Sequence, residues 1–471
     1  MTRVLSLLIV ALALLAAGCG GSTTAATGEP SGAEITPASA VGFVSLNTDA
    51  GSEQWQQAIE LLQKLPAREK LLGRITGALA DEDLDFARDI RPALGPTVDF
   101  AVLSRANGQT DVVGMTQPAD GAKLEALLRK GGKPAVHAEI DGWTVFAEDE
   151  AALAPFRVDG DKLQDSEPFS DAMAELPDEA NAKAYFDGRA VPRALGRTAP
   201  GLGTVPVGDF DWVSAAVSSE QDGFKIEGAA KGRAGESKPF DRSLLEQIPS
   251  GALVAIAFNG GNTSALDQLR ANPKLSRQSA RLEELLGIGL QDLVGLLGGD
   301  AVLYVRPGSP DLEVTLLTKP ENPNGLLRTI DGAVTRVSLF SGRPAPTRRR
   351  IGDVVVREVS LDRVSLYYGV RDGALIASTA TAAFGDYSGA SLEDDPVFTD
   401  AAAAAKLPDD AAALLFVNVE DSLPVLQDLA REYAASIPPD VAANLEPLES
   451  FLGFSMPDSD IARFSGLLKI P

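Results

Sequence analysis

Four times along the chain a proline is followed three places later by alanine, then by an apolar run, and at the tenth place by Asn or Asp. The copies are 37–47 (PASAVGFVSLN), 177–187 (PDEANAKAYFD), 249–259 (PSGALVAIAFN) and 408–418 (PDDAAALLFVN). An apolar run this short, opened by Pro and closed by Asx, reads as a strand rather than a helix. Repetition at this scale is the mark of a unit used more than once, so it constrains architecture before anything else does.

The elements between the copies also recur in order. Leu94-Gly95 is echoed by Leu297-Gly298, with Asp89-Ile90 and Asp292-Leu293 ahead of them. Thr116-Gln117-Pro118 is echoed by Thr318-Lys319-Pro320. Pro168-Phe169 returns as Pro396-Val397-Phe398, and Gly228-Ala229-Ala230-Lys231 as Gly466-Leu467-Leu468-Lys469. This predicts two homologous lobes, 35–235 and 243–471, each holding a long and a short version of one unit.

Within the first lobe, Ser52 is placed to cap a helix whose apolar residues Trp55, Ala58, Ile59, Leu62 and Leu65 fall at helical spacing. A second helix is expected over 68–79. Strands are expected over 98–103, 111–116, 135–139 and 143–147, the last two joined by the hairpin signal Asp141-Gly142. A helix over 122–129 separates the pairs. The short unit reads as a helix at 188–195, a Gly/Pro loop at 196–208, and strands at 212–218 and 225–231. Sequential strands joined by hairpins give a mainly antiparallel sheet with helices packed on it, an α+β class.

The N-terminus reads as an address. One positive charge, Arg3, precedes an apolar run over 4–17 that is too short to span a bilayer. The run ends Ala16-Ala17-Gly18-Cys19, which resembles the bacterial lipobox, with Ala16 where Leu is usual. The resemblance implies cleavage between Gly18 and Cys19 and a lipid on Cys19; an ordinary secretory signal with an incidental Cys is the alternative. Cys19 is the sole cysteine, so no disulfide can form within the chain. Residues 19–34 are small and polar, a flexible tether; fifteen of them would reach roughly 20 Å. The expected location is therefore the outer, extracytoplasmic face of the cytoplasmic membrane, held by the lipid on Cys19.

The sequence 43–49 (FVSLNTD), followed by Trp55, 61–66 (LLQKLP) and 84–95 (LDFARDIRPALG), resembles an uncharacterised family of bacterial, largely actinobacterial, lipoproteins and secreted proteins. The family is classed as a domain of unknown function. It implies an envelope location and supplies no active-site residues.

The net charge of −24 argues against nucleic acid and against electrostatic adhesion of the whole body to anionic lipid. Catalytic chemistry has little to work with. His137, the only histidine, lies on an expected strand, and neither GxSxG nor SxxK occurs. One His and one Cys cannot build a zinc set. The acidic clusters at 81–85 and around Asp159, Asp161 and Asp165 lack EF-hand spacing, so no metal and no cofactor is expected. Gly298-Gly299-Asp300 follows a helical stretch, the wrong context for a phosphate loop. Arg348-Arg349-Arg350 is the one basic run, an exposed strand entry open to an anionic polymer or headgroup.

Asn47, Asp187, Asn259 and Asn418 are explained by turn chemistry, since an Asx side chain folds back on the following amides. A shared binding rim made of these four is the sharper alternative. The functional expectation is a non-enzymatic lipoprotein that binds or organises an envelope protein, glycan or lipid. A carrier or chaperone for an apolar ligand is the alternative, and an envelope hydrolase the third.

Overall fold

The computed structural model describes residues 31–66, 84–105, 109–130, 136–156, 159–188, 210–232, 238–259, 299–308, 312–361, 364–385, 389–432, 437–456 and 460–471, with 68–69, 73 and 77 besides. The expected helices over 68–79 and 188–195, the loop over 196–208, Asp81 to Asp83, Gly298, Gly18 and Cys19 lie wholly or largely outside the described residues.

Where apolar and polar residues alternate, strands form. They are β1 (Ala40–Asn47), β2 (Thr97–Ser104), β3 (Thr110–Thr116), β4 (Val136–Ile140), β5 (Trp143–Ala147), β6 (Ala182–Asp187), β7 (Phe210–Glu220), β8 (Gly223–Gly232) and β9 (Val254–Asn259). The chain continues with β10 (Asp300–Arg306), β11 (Glu313–Thr318), β12 (Thr347–Ile351), β13 (Val354–Leu361), β14 (Val364–Arg371), β15 (Ala374–Ser378), β16 (Ala413–Asn418), β17 (Ser450–Met456) and β18 (Ile461–Lys469). The helices that the argument uses are α1 (Glu53–Gln63), α2 (Gly121–Lys130), α3 (Glu150–Leu153), α4 (Glu167–Ala174), α5 (Pro323–Phe340), α6 (Pro396–Ala405) and α7 (Val419–Glu432).

The 18 strands of the described residues join one sheet, and every pairing among them is antiparallel. Read from edge to edge, the order is β4-β5-β3-β2-β1-β6-β7-β8, then β18-β17-β16-β9-β10-β11-β15-β14-β13-β12. β8 and β18 meet in an unbroken register from Lys231 opposite Ile461 to Gly223 opposite Lys469. Counted outward from that seam, the first eight strands on either side are connected in the same way. The second half then carries a further hairpin strand pair, β12 and β13, at its edge.

Local chemistry fixes the corners. The β4–β5 hairpin turns on Asp141 (φ 48°) and Gly142 (φ 82°), and β14–β15 turns on Asp372 (φ 51°) and Gly373 (φ 79°). Two consecutive positive φ values make the type I′ geometry that matches strand twist, and Asp-Gly is among the pairs that reach it most easily. Helix α1 starts where the Ser52 side chain accepts from the Trp55 amide, and α6 starts where Asp395 accepts from Val397 and Phe398.

On one face the main cores form. Phe169 of α4 meets the rings of Phe43 and Tyr185 edge-on at 5.5 and 5.2 Å, while Phe398 of α6 meets Phe416 at 5.2 Å. Trp143 and Trp212 are buried in the first of these cores, Tyr304 and Leu452 in the second. The opposite face is covered toward one end by α2 and residues 86–94, packed on Val98 and Phe100, and toward the other by α5 on Tyr368 and Leu375.

Two boundaries differ from those expected. The sequence puts the tether through Glu34, yet the chain is docked from Ser31: Gly32, Ala33, Ile35 and Thr36 are buried against the first core. The sequence starts the second lobe at residue 243, yet Phe240 is buried in the second core and its amide donates to the Ala411 carbonyl. Small polar composition hid the first; the charged stretch ahead of Phe240 hid the second.

Candidate functional site

All four repeated segments are strands, β1, β6, β9 and β16, and they pair as β1 with β6 and β9 with β16. Antiparallel pairing sends partners' ends to opposite edges. The Asn47 amide donates to the Asn181 carbonyl at the start of β6, and the Asn418 amide to Leu253 just before β9. Asn47 and Asn418 do share one edge, and Asp187 and Asn259 the other. Each pair is six strand spacings apart, about 29 Å. The four side chains therefore form no common rim.

Their local roles are turn roles. Asn47 Oδ1 accepts from the Asp49 amide at 2.9 Å and its Nδ2 donates to Ser52 Oγ, which leads into α1. Asn418 Oδ1 accepts from the Asp421 amide at 3.0 Å and opens α7. Asn259 Nδ2 donates to Asp300 Oδ1 at 2.8 Å. Asp187 closes β6 opposite Trp212.

The other candidates are dispersed. His137 lies on β4 with a half-exposed side chain, 3.8 Å from Glu125. Among the described residues no group of three or more His, Cys, Asp or Glu is placed to hold a metal. Arg348, Arg349 and Arg350 lie on the edge strand β12, all exposed.

Among the buried acids, Asp395 caps α6, and two others, Glu313 and Asp99, have no signal in the sequence. Glu313 is satisfied on both oxygens: Oε1 accepts from Tyr304 Oη and Thr315 Oγ1, and Oε2 from Arg306 Nε at 2.7 Å. Asp99 is not. Its Oδ2 accepts from the Gly32 amide at 2.6 Å, but its Oδ1 is buried without a partner. Burial pushes its carboxyl up to about 6, against the hydrogen bonds from Ser45 and Gly32 that favour the charged form. Beside it Thr36 Oγ1 donates to the Gly32 carbonyl, and Trp143 Nε1 donates to Glu34 Oε1 at 2.6 Å. The group therefore holds residues 31–36 in place; nothing about it presents a reacting centre.

The arrangement most suited to a ligand is on the second face of the sheet, at its middle. Directly opposite residues of antiparallel strands point the same way. One lateral row therefore runs Val217, Ile226, Gly466, Gly453, Leu415, Ile256 across β7, β8, β18, β17, β16 and β9. At its two ends the face is roofed by α2 and α5, and at the middle α1 covers Phe224, two residues from Ile226 on the same strand face. Between them Val217, Ile226 and Leu415 keep 36, 43 and 38% of their surface exposed, and Phe464 and Phe258 on the same face keep 39% each. Gly466 and Gly453 face each other at the centre, with the Phe451 ring against both. From Val217 to Leu415 the row spans four strand spacings, about 19 Å. It is an apolar row without a charged side chain, exposed on either side of a glycine pair that the Phe451 ring covers.

Against known proteins the chain shows one family likeness. Residues 2–127 match the family described as "Protein of unknown function (DUF3352)". No curated protein matches. A solved chain, reported as "Structure of crystal form I of TP0453", aligns at 10% identity over 45% of this chain and 82% of that one, with a TM-score of 0.23. The chain thus resembles an uncharacterised family over its first quarter. Among the described residues no helix is long and apolar enough to cross a membrane.

Proposed function

We propose that this is a non-enzymatic, lipid-anchored protein of the bacterial envelope, built from two duplicated lobes, whose central sheet face holds an apolar ligand. The observation that carries the ligand reading is the set of partly exposed apolar side chains on this face, Val217, Ile226 and Phe464 on one side of the glycine pair and Leu415 and Phe258 on the other, since clustered apolar surface of this kind marks an interaction site. A long flexible chain would lie across these side chains and the Phe451 ring between them, because a flat surface admits a chain where a bulky ring would need a pocket. Support for duplication comes from the common strand order counted from the seam and from the paired Asp-Gly hairpins. Support for the anchor comes from the sequence around Cys19 alone.

The test is extraction and uptake. Protein purified from its native membrane should yield extractable lipid in fixed ratio, and the delipidated full chain should take up a fluorescent fatty acid. Ile226→Glu or Leu415→Glu should abolish uptake, because a buried carboxylate against an acyl chain costs several kcal/mol. Absence of both lipid and uptake would overturn the apolar-ligand reading. Turnover of an ester, peptide or glycan by the pure protein, lost on changing one acid or Ser, would overturn the non-enzymatic one.

A further inference from the structure

The two most exposed large apolar side chains of the described structure stand together at the end of α5: Leu339 at 71% and Phe340 at 74%. The helix is amphipathic. Its Leu326 and Leu327 are buried on the sheet, and Asp331 accepts from Tyr368 Oη and Arg357 Nε, which pins its middle over β13 and β14. Ser338 near its end is still buried, and only Leu339 and Phe340 beyond it face outward. The Arg343 amide donates back to the Ser338 carbonyl, and six residues lead from Phe340 into β12. Val364, at the start of β14, is also partly exposed.

Along the chain on either side of this apolar tip the charge is of one sign. Residues 332–352 contain Arg336, Arg343, Arg348, Arg349 and Arg350 and no acid at all, in a chain whose net charge is −24. Arg349 lies on the core side, 3.5 Å from Glu358 and over the Tyr367 ring. Arg348 stands opposite Arg357 on the α5 side, and Arg350 shares that side. Both are exposed, with no ion pair among the described residues. Charges on an edge strand do guard against edge-to-edge pairing. That role explains neither Leu339 nor Phe340, which belong to a helix end.

We propose that this tip is a membrane-docking device: Leu339 and Phe340 enter the headgroup boundary of an anionic bilayer while Arg348 and Arg350 meet its phosphates. Amphipathic elements with basic rims bind in this way, apolar area and anionic attraction adding. The acidic remainder of the molecule is repelled by the same surface, so the tip points toward the membrane. The proposal is independent of the ligand strip and of acylation at Cys19.

The test places an indole at the tip. The full chain carrying Phe340→Trp is mixed with vesicles of phosphatidylcholine, with or without phosphatidylglycerol, containing a brominated lipid as quencher. The unsubstituted chain gives the background of its three native tryptophans. Expected is quenching of the introduced indole on anionic vesicles, weak on neutral ones. Adding Arg348→Gln and Arg350→Gln should weaken partition roughly thirtyfold. Leu339→Ser in the same background should weaken it at least severalfold. Circular dichroism and melting of each variant guard against misfolding, and the conservative Arg348→Lys with Arg350→Lys should retain binding. No quenching on anionic vesicles by a folded protein, or equal quenching on neutral ones, would overturn the proposal. So would an acidic extended peptide that shields the indole from iodide while vesicles leave it unchanged, which would assign the edge strand to a peptide.

Discussion

Asp99 and Gly32 show how one residue pair can set the start of a folded body. A Cβ on Gly32 would stand 2.6 Å from Met115 Sδ and 2.7 Å from Asp99 Oδ2. Gly32→Ala should therefore expel residues 31–36 or push Met115 aside, at a cost of about 1–3 kcal/mol in denaturant unfolding. Titration of Asp99 gives a second expectation. Its folded carboxyl sits at about 6, above the ordinary 3.8, so between these values the folded protein binds more proton than the unfolded chain. Stability from this group is then fully present below about pH 4 and is lost as pH rises through about 6, by about 2–3 kcal/mol. Asp99→Asn should flatten that slope in unfolding curves taken at pH 4.5 and 7.5; an unchanged slope would assign it to other groups. None of this was legible in the sequence. Periodicity marks Asp99 only as a polar break in a strand, and its partner lies 67 residues earlier. Asn47 and Asn418, by contrast, act through amides two and three residues on, and their turn role could be read directly.

At the scale of elements, legibility followed sequence distance. The repeated Pro-led strands, the helix capped by Ser52 and the Asp141-Gly142 hairpin each depend on neighbours within a few residues, and each stands where the pattern put it. Strand order depends on pairings such as β8 with β18, far apart in the chain, for which alternation alone carries no partner information. That seam is also where close backbone approach is most demanding. A Cβ on Gly223 would lie 2.1 Å from the Leu468 carbonyl oxygen, so backbone and not a flexible side chain would have to move. Gly223→Ala should cost at least about 2 kcal/mol. Arg463→Ala, which removes the paired Nε and Nη2 contacts to Glu175, should cost about 1 kcal/mol or less because the pair is part-exposed. Differential scanning calorimetry on the two variants separates the cases: a similar loss in both would mean that the ion pair holds the seam as firmly as the backbone approach does.

For the whole molecule, a sheet continuous through β8 and β18 means that neither half has a finished edge by itself. Each half has its own aromatic cluster, Phe43 with Phe169 and Tyr185 in one and Phe398 with Phe416 in the other, so each can bury a core without its neighbour. What a separated half lacks is a partner for nine residues of open ladder on β18. Such an edge is a template for another strand. Residues 238–471 produced alone should therefore fold and dimerise, with β18 pairing antiparallel to its own copy in the place of β8, since antiparallel pairing is self-complementary about a two-fold axis. Light scattering should give twice the single-chain mass at micromolar concentration, and amide exchange along Ile461–Lys469 should be as slow as in the full chain. A stable monomer with fast exchange on that strand would show that the edge is tolerated bare. An unfolded product would show that the second core depends on the first, and with it the picture of two self-sufficient halves would fall.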